Sequence, residues 1–131
     1  MYTFYSANDF DNMSKTVFDF LVKEYGYKLE KTEKVGFGYY SRFINETSKT
    51  KVEIWFDIRD RWQDCTISHY FTNTNEYMDT IRFYKLQALI APNAKVNYGS
   101  ANEEEAYLQF ADVLKKYGQD VLRGDFSQLH K

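Results

Sequence analysis

From Lys51 to Arg59 apolar and polar side chains alternate without a break. Val52, Ile54, Phe56 and Ile58 share one side, and Glu53, Trp55, Asp57 and Arg59 share the other. Successive side chains of a β-strand point to opposite faces, so this stretch predicts a strand with one face in a core and one facing out. Its neighbours extend the pattern. Tyr27 to Val35 and Phe37 to Asn45 read as two strands, with Gly36-Phe37-Gly38 permitting a turn or bulge between them. Glu46 to Thr50 and Asp60 to Gln63 read as polar turns. Asp64 to Thr72 reads as a fourth strand, with Cys65, Ile67, His69 and Phe71 on one face. Sequential strands joined by short turns favour an antiparallel meander.

Helical periodicity brackets this region. Phe10, Met13, Val17, Phe20, Leu21 and Tyr25 recur at three- and four-residue spacing within Tyr2 to Tyr25, with Asn8 or Asp9 as cap and Gly26 as stop. Near the other end, Ser100 to Glu103 fits a capping box. An apolar stripe of Tyr107, Phe110, Ala111, Leu114, Tyr117, Val121 and Leu122 follows it. Gly118 inside that stripe marks either close packing or the real end of the helix, and Gly124 is a second stop. Residues 73–99 read preferentially as a helix capped by Thr74 or Asn75, carrying Tyr77, Met78, Ile81, Tyr84 and Leu89 and ended by Pro92. Their β-branched and aromatic content also suits a strand. The expected fold is α+β. A four-stranded antiparallel meander carries N-terminal and C-terminal helices on one face, in a single domain over residues 1–131. The core is expected to hold the Val52 set with Phe20, Leu21, Phe110 and Leu114.

Composition narrows the function classes. The chain has 131 residues and a 44% apolar share, enough for one core. The longest apolar run, Ala88-Leu89-Ile90-Ala91, is far short of the roughly 20 residues that span a membrane. Asp19 interrupts the best candidate for a secretory leader. The net charge of −2 and pI near 5.7 lack the basic excess of a protein that lives on phosphate backbones. One cysteine, Cys65, allows no internal disulfide and no thiolate metal cage, and a reducing cytoplasm is the expected compartment. No cofactor is implied.

Catalytic patterns are sparse. His69 lies mid-strand with no HxH, HxxxH or HExxH partner, and His130 is next to last. Cys65 and His69 share a strand face roughly 13 Å apart by strand rise, too far for a nucleophile and its base. Glu53 and Asp57 are separated by the same distance. A small hydrolase would need one of them paired across strands with Asp64 or Glu33, or His69 in a polar pocket. Gly36-Phe37-Gly38 is followed by strand and lacks the third glycine of a nucleotide loop. Gly36 to Tyr40 partly resembles the aromatic strand of RNA-recognition domains, which makes Phe37 and Tyr39 the candidates for base stacking. Arg42 stands there in place of an aromatic, and the helix-first order differs from that fold. Arg123-Gly124-Asp125 reads as a helix end with its glycine cap. Asn12-Met13-Ser14 and Asn45-Glu46-Thr47 match the glycosylation pattern in letters only.

The segment from Phe110 to Phe126, Phe-Ala-Asp-Val-Leu-Lys-Lys-Tyr-Gly-Gln-Asp-Val-Leu-Arg-Gly-Asp-Phe, resembles the tail of small bacterial α+β proteins, some of them similar to immunity proteins of toxin systems. The resemblance implies a cytoplasmic, non-enzymatic protein that occludes a partner, such as a toxin domain. It transfers no partner residues. The strand alternation independently offers Glu53, Trp55, Asp57 and Arg59 as a partner-binding face, since Trp and Arg are typical interface anchors. A homodimer seam is the alternative use of the same face.

Overall fold

A computed structural model describes residues 4, 6–71, 76–96 and 103–127. In chain order the elements are α1 (Ala7–Val17), α2 (Asp19–Tyr25), β1 (Lys28–Val35), β2 (Gly38–Asn45), β3 (Thr50–Asp57), β4 (Trp62–Phe71), β5 (Glu76–Arg82), α3 (Phe83–Ile90), α4 (Glu103–Tyr117) and α5 (Gln119–Leu122). The strands form one antiparallel sheet in the order β1-β2-β3-β4-β5. The architecture is therefore α+β with an open meander, of five strands where four were expected.

The fifth strand replaces the first half of the helix expected over residues 73–91. Ile81 pairs with Ile67 and Arg82 with Thr66, so β4 supplies a hydrogen-bonding partner that outweighs local helix preference. Helix begins only at Phe83, and its buried residues are Phe83 and Leu86, whereas Tyr84 and Leu89 of the expected stripe are exposed. The proposed caps Thr74 and Asn75 lie outside the described residues, as does Ser100 of the capping box.

The N-terminal helix is two helices. Val17, Phe18, Phe20 and Leu21 are all buried. On one continuous helix they would span an arc of roughly 160° at 100° per residue. The chain instead breaks at Phe18 (φ −105°, ψ 20°), which lets both turns reach the core. Ser6, rather than Asn8 or Asp9, caps α1 by accepting the Asp9 N–H at 3.2 Å. Gly26 ends α2 in the left-handed conformation (φ 77°). Gly118 ends α4: a Cβ there would stand 2.9 Å from the Leu114 carbonyl oxygen.

Val52, Ile54 and Phe56 are buried under the helices, as the alternation predicts, and so are Phe20, Leu21, Phe110 and Leu114. Each such side chain contributes about 1.5–3 kcal/mol of apolar transfer. Ile58 lies past the end of β3 and is only partly buried. Aromatic rings knit the layer together. Phe10 stacks on Tyr39 and meets Tyr107 edge-on, Tyr107 meets Phe110, and Phe110 lies 4.5 Å from Phe83. One polar chain crosses the same interface: the buried Ser14 and Ser41 hydroxyls share a 2.7 Å hydrogen bond, and Thr32 bonds both Ser41 and Asp11. Among the described residues no helix is long and apolar enough to cross a membrane.

Candidate functional site

The face of the sheet turned away from the core gathers aromatic side chains around the end of the β3–β4 hairpin. Trp55 projects there from β3 and stacks on its cross-strand neighbour Tyr40, with ring centroids 4.8 Å apart. Its backbone carbonyl accepts a 2.6 Å hydrogen bond from the Tyr107 hydroxyl, which reaches it from the helix layer. Trp62 opens β4 directly opposite Asp57, and Asp64 stands opposite Trp55. Phe37 occupies the two-residue turn between β1 and β2. Gly36 precedes it at φ 56°, in the first central position of the turn, where the left-handed region favours glycine. A hydrogen bond from the Ile58 N–H to the Phe37 carbonyl (2.7 Å) ties that turn to the end of β3. Gly38 permits the closeness, since a Cβ there would meet the Phe56 carbonyl oxygen at 2.6 Å.

Phe37 is 64% exposed, Trp62 43% and Trp55 36%. With Val35 they line an open depression of about 380 Å³, whose remaining walls include Asp57, Arg59, Asp64 and Arg82. Arg59 lies 4.9 Å over the Phe37 ring, and Arg82 lies 5.6 Å over Tyr84 at the margin.

Three of the four residues singled out by sequence, Trp55, Asp57 and Arg59, thus meet in one depression. Arg59 does so from the turn at residues 58–61, because β3 ends at Asp57 and not at Arg59. Glu53 does not line it. Its Oε2 accepts from Arg42 Nε at 3.0 Å one step along the strand, and Arg42 reaches Glu30 at 3.3 Å. Residue order singles out neither Val35 nor Arg82, and it places Trp62 in a turn. Setting the loop at 58–61 puts Trp62 at the start of β4, facing outward beside Trp55.

The carboxylates here are engaged. Asp64 Oδ2 accepts from Arg82 Nε at 3.0 Å and also pairs with Nη2, and Asp57 Oδ1 accepts the Asp60 N–H at 2.9 Å. Asp57 and Asp64 sit diagonally across the strand pair, roughly 7–8 Å apart by sheet geometry. His69 cannot join them: it belongs to the core-facing set of β4, where its ring stacks on Phe126 at 5.2 Å. Cys65 is fully buried, and burial, with the charges of Asp64 and Glu53, pushes its thiol well above the ordinary range. Phe37 and Tyr39 do not form a common stacking platform, since Tyr39 is buried against Phe10. Among the described residues no three His, Cys, Asp or Glu side chains converge as metal ligands.

The opposite end of β3 is covered in part by the C-terminal segment, and open depressions of about 370 and 430 Å³ lie beside the Asn45 turn, without exposed tryptophan in their lining. Asn45 Oδ1 accepts the N–H groups of Thr47 and Ser48, and its Nδ2 donates to the Tyr25 carbonyl at 2.6 Å, so this asparagine is a buried turn-former and not a glycan acceptor. The segment after α5 packs on this end: Gly124 (φ 91°) sits against the Ser48 carbonyl, and Tyr27 donates to the Leu122 carbonyl at 2.7 Å. Comparison with protein-family models, with curated proteins and with solved structures finds no match to the chain.

Proposed function

We propose that the protein is a non-enzymatic protein-binding module that docks a partner on the Trp55 depression, in the manner of an immunity protein occluding a toxin domain. The observation that carries this reading is the cluster of Phe37, Trp55 and Trp62 on one exposed surface with Arg59 and Arg82 at its walls. Trp and Arg are enriched at binding hot spots: an indole buries a large area while ordering two torsions, and a guanidinium adds forked hydrogen bonding. The engagement of Asp57 and Asp64 by backbone and guanidinium donors supports a binding role over acid–base chemistry. The immunity element rests on the resemblance of Phe110 to Phe126, a segment whose tail packs against the sheet and leaves the depression to a partner. Cytoplasmic residence belongs to the same proposal.

The test is capture of a partner with the tagged wild type, followed by binding and growth assays with the isolated partner. Trp55→Ala and Trp62→Ala should each weaken binding by about 2 kcal/mol or more while the protein stays folded. If the partner is toxic to cells, co-expression of the wild type should restore growth and the double variant should not. Full binding and protection by a folded double variant would refute the placement.

A further inference from the structure

We infer that the partner segment received by the Trp55 depression is acidic, with one apolar side chain as its anchor. The inference rests on the docking reading above. Its basis is the way charge is layered around the aromatics. The arginine of the Arg82–Asp64 pair is 53% exposed at the side chain and the aspartate 14%, so the guanidinium is the outer member. Arg59 is exposed, and its guanidinium lies over the Phe37 ring. Asp57 is half-buried, with one oxygen spent on the turn, and Asp60 is the exposed carboxylate of this stretch. Asp60 lies outside the lining of the depression, where an approaching chain therefore meets the Arg59 and Arg82 guanidinium groups before the Asp57 and Asp64 carboxylates. A guanidinium fork binds carboxylates in bidentate geometry. The depression, at about 380 Å³, is at the small end of the ligand-site range of roughly 300–1,000 Å³, suited to a single anchor side chain. A nucleic acid would share the negative charge, but its run of phosphates calls for a basic stripe that a chain of net charge −2 lacks, whereas a short acidic segment needs only the two guanidinium groups at the depression.

The chain's two tryptophans both line this depression, so the two indole N–H resonances report on it directly. Nitrogen-15 spectra of the full chain are recorded against three probes: the blocked peptide DEFDE, its counterpart KKFKK, and a uridine hexanucleotide. DEFDE should shift both indole signals saturably and bind about tenfold more tightly than KKFKK. Arg59→Glu, a change in an exposed turn, should weaken DEFDE by about tenfold or more with the amide spectrum otherwise preserved. Arg82→Gln provides a second variant if Arg59→Glu disturbs the turn. Tighter binding of KKFKK at the indoles would overturn the acidic assignment and leave the docking reading standing. Tighter binding of the hexanucleotide would overturn both. Unmoved indoles with all three probes would overturn this inference, while partner capture still decides the docking reading.

Discussion

β3 ends in two hairpin loops that are locally alike and globally opposite. Residues 46–49 join it to β2 and residues 58–61 join it to β4, and each loop closes on a non-glycine residue in the left-handed region, Lys49 at φ 56° and Arg61 at φ 52°. At the first loop the C-terminal segment is laid over the sheet, with Phe126 on His69 and Gly124 on Ser48. At the second, Phe37, Trp55 and Trp62 stay exposed. The turn chemistry cannot account for the difference. It comes from the distant segment that packs on one end, so the aromatic Phe126 there stabilises the fold, whereas the exposed aromatics at the other end are available for recognition.

The largest effect should separate the two ends directly. Phe126→Ala removes a buried ring and should cost about 3–4 kcal/mol, read as a lowered urea midpoint. Phe37→Ala should stay within about 0.5 kcal/mol of wild type. Equal losses would erase the distinction. Gly124→Ala comes next, at about 2 kcal/mol, because a Cβ at φ 91° would also press to 2.7 Å from the Ser48 carbonyl oxygen. A smaller loss, about 1.5 kcal/mol, is expected for Tyr27→Phe, which leaves the Leu122 carbonyl without its buried donor.

Tyr27 also sets a pH signature. Burial raises its hydroxyl far above the ordinary value of 10. Between that value and the folded one, the unfolded chain gives up a proton that the folded chain keeps. Stability therefore falls as pH rises through 10, and the slope should be shallower in Tyr27→Phe. The smallest effect tests the likeness of the two loops. Arg61→Gly and Lys49→Gly each relieve a left-handed side chain at the cost of a freer unfolded chain, for a net gain of about 0.5 kcal/mol measured by thermal unfolding. A gain in one and a loss in the other would show that the loops are not equivalent.

How much of this is readable from residue order depends on where the deciding contact lies. The β3 alternation identifies both the buried set and Trp55 on the outer face, because period-two patterning is local. β5 escapes such a reading because its identity comes from pairing with β4, and Tyr77 and Ile81, four residues apart, share a face in helix and strand alike over so short a span. The break at Phe18 is hidden for a related reason: three- and four-residue spacing records that side chains are buried, but not that they need two helix directions to get there. The depression is half visible. Trp55, Asp57 and Arg59 are near in sequence, while Phe37 and Arg82 arrive through register with β2 and β4. Register follows from loop length, and a loop boundary displaced by one or two residues is enough to hide Trp62.

The hydrogen bond from Tyr107 to the Trp55 carbonyl has a consequence for how docking would proceed. It clamps, from the interior, the backbone unit that carries the most central indole of the outer surface, while Tyr40 braces that indole's plane from the side. Little rotational freedom is left for Trp55 to lose on contact, so the entropic cost of ordering falls on the incoming chain. Association should behave as rigid-body capture by a preformed anvil, with the sheet backbone superimposing before and after, and with affinity differences between partners expressed in how slowly they leave.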